Sequence, residues 1–165
     1  MSEQWRPIPG YEGLYEVSDL GRVRSIDRKD MRGRRCKGVV RRLQTDPDGH
    51  RRVLLSKDGK QSTAKVYRLV LLAFVGPPPE GFEALHADGN PANDTLANLS
   101  WGSRSENLLD RVRHGTHHMA NKSHCPQGHE YDRLNTYVNT AGSRECRECR
   151  RTRRRERRLA AAGRN

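Results

Sequence analysis

No stretch of this chain approaches the roughly 18 to 20 consecutive apolar residues that a membrane-spanning helix needs. The opening MSEQWRPIPGYEG lacks the apolar core of a secretory signal, so a soluble cytoplasmic protein is expected. Apolar material is scarce throughout: 33% of the 165 residues are hydrophobic and 32% are charged. That is little for one large core and favours small modules, some leaning on a metal or a bound partner. Cysteine is limited to four residues, which in a reduced compartment read as metal ligands or free thiols before disulfides. No internal repeat is present.

Acidic side chains are outnumbered, 20 against 32 basic ones, for a net charge of +12. The excess is concentrated: residues 22–42 sum to +8 and residues 144–165 to +7. Blocks of this kind neutralise backbone phosphates and release counterions. Nucleic acid is therefore the expected partner. The candidate contacts are Arg22, Arg24, Arg41 and Arg42 in the first block, Arg104 between the blocks, and Arg150, Arg151, Arg153, Arg154 and Arg155 in the second. Neither block carries a large apolar face, which argues against a membrane surface.

Local patterning divides the chain into short elements. Leu14, Tyr15 and Val17 before Ser18-Asp19-Leu20-Gly21, and Arg22-Val23-Arg24 after it, predict a small hairpin packed with Trp5. Residues 27–38 are basic and Gly-containing and read as a mobile loop or arm. Asp58-Gly59 between His50–Leu55 and Thr63–Val66 predicts a second hairpin. Val66, Leu69, Val70, Ala73 and Phe74 recur at helical spacing over residues 65–75, before Gly76-Pro77-Pro78-Pro79. A short strand is expected over Phe82–His86, then a turn at Asp88-Gly89-Asn90-Pro91. A second extended piece is expected around Leu99 and Trp101. Ser103 with Glu106 three residues on has capping-box spacing for a helix running to about His114 and stopping at Gly115.

This strand, loop, strand, helix order carries chemistry. His86 ends a strand, and a neutral histidine can take a proton from water near neutral pH. Asn107 lies in the first turn of the predicted helix, and its carbonyl is a hard oxygen ligand suited to Mg²⁺. Together they have the parts for metal-assisted hydrolysis. Spacing alone fits a hydrogen-bonded surface histidine beside turn-forming asparagines better than it fits catalysis.

The string LHADGNPANDTLANLSWGSRSEN resembles the HNH nuclease motif of the ββα-metal superfamily, of the phage and homing type. The preceding KVYRLVLLAFVGPPPEG resembles the helix and turn before that motif, and WRPIPGYEGLYEVSDLGRVRS resembles a small module often found ahead of such nucleases. The resemblance implies a DNA endonuclease in which His86 is the general base, Asn98 ties the loop together and Asn107 holds the divalent ion. It implies products with 5′-phosphate and 3′-hydroxyl ends. The chain departs from the pattern at Leu85, where many members carry a second metal ligand. Asp88 is a further candidate ligand, although Asp before Gly also suits a turn. The alternative is a DNA-binding phage protein of this fold that has lost catalysis or cuts only beside a terminase.

Cys125-x3-His129 and Cys146-x2-Cys149 form two pairs with the spacing of a tetrahedral Cys₃His zinc site, closed and structural. Similar CPxGH…CxxC tails on phage HNH proteins support that pairing. Cys36 stands alone and reads as a free thiol. The expected fold is α+β: a small β-rich N-terminal module with a basic arm over residues 1–45, a ββα-metal core over 46–115, a zinc knuckle over 116–150 and an Arg-rich tail over 151–165. The expected cofactors are a divalent ion, Mg²⁺ first, and structural Zn²⁺. The expected setting is the cytoplasm of a phage-infected host.

Overall fold

Alternating apolar and polar side chains build the first sheet. β1 (Trp5–Pro7), β2 (Tyr15–Ser18) and β3 (Val23–Ser25) pair antiparallel in that order. Tyr15 and Val17, two residues apart and hence on one face, are both buried, and Val17 pairs with the buried Val23. The computed structural model in which these elements are seen describes residues 2–29 and 33–162.

The basic segment after β3 differs from the loop expected there. β4 (Arg28–Lys29) and β5 (Arg35–Cys36) form a short antiparallel pair, with residues 30–32 outside the described part. Local hydrogen bonds pin its base. Asp27 accepts from the Gly38 amide at 2.7 Å, and Val39 exchanges hydrogen bonds with Ser25. Gly38 is required by close approach, since a Cβ there would lie 2.5 Å from the Ser25 carbonyl oxygen.

β6 (Gln44–Thr45), β7 (Arg51–Lys57) and β8 (Lys60–Lys65) form a second three-stranded sheet in that order. Asp58 and Gly59 both have positive φ, the geometry of the two-residue turn that Asp-Gly favours between twisted strands. α1 (Val66–Phe74) follows at once and buries Val66, Leu69, Val70 and Leu71. It is the hub of a single core. Ile8 just after β1 and Tyr15, Val17 and Val23 from the first sheet meet Val53 and Leu55 from the second, the four helix residues and Leu99.

The ββα element closes this unit. β9 (Phe82–His86) and β10 (Leu99–Ser103) pair antiparallel, joined by a loop ending in a 3₁₀ turn over Leu96–Asn98. α2 (Arg104–Arg113) starts at a complete capping box: Ser103 accepts from the Glu106 amide while Glu106 accepts from the Ser103 amide. The first compact unit is Met1–His114.

The second unit is Gly115–Asn165. It holds one hairpin, β11 (Thr136–Val138) with β12 (Arg144–Cys146), and α3 (Arg147–Ala162), which buries nothing. Among the described residues no helix is long and apolar enough to cross a membrane.

Candidate functional site

His86 is the last residue of β9 and pairs with Leu99. Strand alternation sends Ala84 and His86 to one side of β9 and Glu83 and Leu85 to the other. On the first side the His86 ring packs edge-on to Tyr67 of α1, 5.3 Å between centroids, and against His50 at 5.5 Å. The side chain is 9% exposed, and its Nε2 is buried without a hydrogen-bond partner. That nitrogen faces Asp94 Oδ1 at 3.6 Å. Asp94 is fully buried, and its other oxygen accepts from Arg51 Nε at 2.9 Å. Burial, followed by the charges of Lys65 and His86, holds His50 below the ordinary imidazole range and favours its neutral form.

Asn98 ties the turn after His86. Its Oδ1 accepts from the Asp88 amide at 3.0 Å, and its Nδ2 donates to Asp88 Oδ1 and the Asn93 carbonyl, each at 2.9 Å. Its backbone carbonyl also accepts from the Ala87 amide. Asp88 spends both oxygens inside the loop, Oδ1 on the Asn90 amide and Asn98, Oδ2 on Asn93. Those donors, Asn93 first, hold its carboxyl below the usual range. Asp88 is therefore built into the turn. Gly89 permits the approach of α2's end: its φ is +69°, and a Cβ there would lie 2.6 Å from the His114 ring.

On the other side of β9, Asn107 donates from Nδ2 to Glu83 Oε2 at 2.7 Å. This leaves Oδ1 as the atom that could accept a cation, a hard oxygen next to a carboxylate, and such a donor set fits a divalent cation such as Mg²⁺. Leu85 shares this side and packs on Gly102, where a Cβ would collide with Leu85 Cδ1. An apolar side chain thus stands where a second oxygen ligand would add charge. Among the described residues no hydrogen bond or ring contact joins His86 to Asn107, which lie on opposite sides of β9.

Asp94, Arg51, His50, Tyr67 and Glu83 were not singled out by the sequence reading. Asp94 stands in a string, NPAND, that reads as turn chemistry, and its partner Arg51 is 43 residues away. Nothing local marks either as buried.

In the second unit Cys125, His129, Cys146 and Cys149 converge, with all four ligand atoms within 4.8 Å of one another. His129 Nδ1 lies 3.5, 3.6 and 3.3 Å from the sulfurs of Cys125, Cys146 and Cys149. Cys125 and Cys149 sulfurs are 3.6 Å apart. A tetrahedral site with Zn–S near ~2.3 Å and Zn–N near ~2.0 Å has edges of about 3.5 to 3.8 Å, so the cluster fits a four-coordinate ion. Burial raises the Cys146 thiol, but the Cys149 amide and Asn135 outweigh it and bring it down to about 6. Burial and its neighbouring sulfurs push Cys149 up to about 11. Sulfurs this close cannot all be thiolates without a cation between them.

The candidate arginines differ in how free their charge is. Arg22 pairs with Glu3 and Arg24 with Glu16, and Arg24 stacks on Trp5 at 4.2 Å. Arg41 is half-buried, whereas Arg42 and Arg104 are exposed. On α3, Arg150 stacks on Tyr137 at 4.4 Å, and Arg151, Arg153, Arg154 and Arg155 are exposed.

Residues 3–56 match the NUMOD4 motif, and residues 64–109 match the HNH endonuclease family HNH_3. The DNA endonuclease I-HmuI of Bacillus phage SP01 is 36% identical over 113 residues, covering 68% of this chain and 60% of that protein. HNH endonuclease L247 of Acanthamoeba polyphaga mimivirus is 30% identical over 115 residues, covering 67% of this chain and 26% of its own length. A solved structure of I-HmuI, described as an HNH homing endonuclease binding and cleaving DNA, superposes with a TM-score of 0.57 over 68% of this chain and 60% of that one. The chain thus spans 60% of the length of its phage relative. Its β9–β10–α2 element, with His86, Asn98 and Asn107, falls inside the HNH_3 match, and residues 64–109 of the chain belong to the HNH endonuclease family.

Proposed function

We propose that this chain is a metal-dependent DNA endonuclease of the homing type that hydrolyses phosphodiester bonds in double-stranded DNA. The observation that carries the reading is the half-buried His86 at the end of β9, held by aromatic and charged neighbours within a matched HNH segment. His86 takes a proton from a water in line with the scissile phosphorus. Asn98 keeps the loop beyond His86 closed, so the ring is held before substrate arrives. Asn107 Oδ1, aimed by Glu83, holds a divalent ion, Mg²⁺ in the first instance. When bound, that ion supplies Lewis-acid stabilisation of the charge growing on the phosphate. The ends produced are 5′-phosphate and 3′-hydroxyl.

Exposed Arg42 and Arg104, with Arg151, Arg153, Arg154 and Arg155 of α3, contact backbone phosphates and position the duplex. Arg22, Arg24, Arg41 and Arg150 contribute less, because ion pairs, stacking or burial engage them. The Cys₃His cluster holds one structural Zn²⁺. The setting is a host cell carrying phage DNA, as for the SP01 relative. The relatives lend no support to a terminase partner.

Leu85 favours a second reading, a DNA-binding protein of this fold without catalysis, since it puts an apolar side chain on the same side of β9 as Glu83, the partner of Asn107. Incubating plasmid DNA with the purified zinc-loaded chain and Mg²⁺ separates the two. Cleavage that needs about tenfold or more Mg²⁺ in Asn107→Ala supports the enzyme, and binding without cleavage in the wild type supports the second reading.

A further inference from the structure

Two buried polar atoms beside the candidate base lack partners. His86 Nε2 and Asp94 Oδ1 each have no hydrogen bond, and they face one another at 3.6 Å. A buried donor or acceptor left unmade is costly, and closing this gap by a few tenths of an ångström satisfies both at once. The proton can lie in only one place if it does. An Nδ1–H tautomer would turn the Nε2 lone pair toward a carboxylate oxygen, lone pair against lone pair. An Nε2–H tautomer turns a donor toward it.

The carboxylate cannot swing away. Arg51 Nε holds Oδ2 at 2.9 Å, and Asp94 is wholly shielded from solvent. The turn after β2 roofs it. Gly21 has φ +73°, and a Cβ there would lie 2.8 Å from Asp94 Cβ and 3.1 Å from an Arg51 guanidinium nitrogen. Next to that turn, the Asp19 carbonyl accepts from the Leu96 amide at 2.8 Å. Arg51, Gly21 and Asp19 all belong to the segment that matches the NUMOD4 motif, whereas Asp94 and His86 belong to the HNH match.

We infer that Asp94, locked by Arg51, is a positioning residue that fixes His86 as the Nε2–H tautomer and so makes Nδ1 the nitrogen that takes the proton from water. The inference rests on the nuclease reading and deepens it: the segment ahead of the HNH motif completes the catalytic base. In the step itself an O–H bond of water breaks and an N–H bond forms on Nδ1. The electron pair stays on the water oxygen, which attacks phosphorus as the 3′ oxygen leaves with the P–O bonding pair and takes a proton from solvent water to become the 3′-hydroxyl. Asp94 then faces an imidazolium and stabilises its charge without accepting the proton. Serine proteases with a carboxylate behind the catalytic histidine show the same division of labour.

The test uses the full zinc-loaded chain and ¹⁵N–¹H long-range correlation spectra of its imidazoles. The His86 signals are identified by their absence in His86→Ala. Wild-type His86 should show a protonated, pyrrole-like Nε2 and a pyridine-like Nδ1. In Asp94→Asn the amide oxygen keeps Arg51 and the amide N–H faces Nε2. The tautomer should therefore reverse, and single-turnover cleavage of duplex DNA with Mg²⁺ should fall by about 100-fold or more. Duplex affinity should be unchanged. A purely structural role would lower the melting temperature without exchanging the protonated nitrogen. Finding Nδ1–H in the wild type overturns the inference whether or not the variant folds. So does an Asp94→Asn protein that keeps both the tautomer and the rate. If His86→Ala cleaves like the wild type, the nuclease role of His86 fails, and the wild-type tautomer still decides the role of Asp94.

Discussion

The two units bury different things. Among the described residues, Met1–His114 encloses eleven apolar side chains, drawn mainly from two sheets, a helix and the ββα hairpin. In the described part of Gly115–Asn165 the only buried residues are Cys125 and Cys146, which are also candidate metal ligands. In the first unit the candidate active site is mounted on a core that exists without it. In the second the cysteine and histidine cluster takes the place of a core. Removing a ligand should therefore change chemistry in one unit and folding in the other.

The largest effect should come from the second unit. Structural zinc contributes apparent binding energies of about 10 to 16 kcal/mol in small modules, which is folding energy as well. A strong chelator, or Cys146→Ser, should unfold residues 115–162, remove about one zinc per chain by elemental analysis and expose this region to protease. The first unit should keep its melting transition, and added Mg²⁺ should restore cleavage without refolding the knuckle. A tail that resists protease without zinc would erase the contrast between the units.

The converse probe is Leu71→Ala, which empties a fully buried position in the first core. It should cost about 2 to 5 kcal/mol in denaturant unfolding of that unit. Zinc content should stay unchanged, and a loss of zinc would mean that the units share their stability.

Asn107→Ala should act on metal affinity more than on fold. The titration of cleavage against Mg²⁺ should shift to higher concentration by about tenfold or more, with the thermal midpoint held within a few degrees. Leu85→Asp should shift it the other way by adding an oxygen ligand on the same side of β9. Unchanged metal dependence in Asn107→Ala would put the ion elsewhere.

Deleting residues 151–165, which hold seven arginines, should have the mildest consequence. Each lost phosphate contact lowers the slope of log affinity against log salt by about 0.9. The loss should be similar on unrelated duplexes, because phosphate contacts position the protein without reading sequence. A loss confined to one target would assign base reading to α3.

What was legible in the sequence follows the same division. The second unit's ligands come in two local pairs, so spacing alone reveals them. Phe82–His86, the Ser103–Glu106 capping box and the Asp58-Gly59 turn are local too, and each is found where expected. The environment of His86 was not legible. Tyr67, His50, Arg51 and Asp94 reach it from a helix, a loop, a strand and a turn that only the tertiary fold brings together. The basic segment over residues 27–38 was legible only in part, for a related reason. Its charge suggests a mobile arm, while Asp27, Gly38 and Ser25 anchor its base through contacts that composition does not record.

The most direct measurement is single-turnover cleavage of duplex DNA with Mg²⁺, comparing the wild type with His86→Ala at saturating and equal binding. The account predicts that the wild type leaves 5′-phosphate and 3′-hydroxyl ends and that His86→Ala binds as tightly but cleaves slower by about 100- to 10,000-fold. Cleavage by His86→Ala at the wild-type rate, or a wild type that binds duplex DNA and never cuts it, would contradict it.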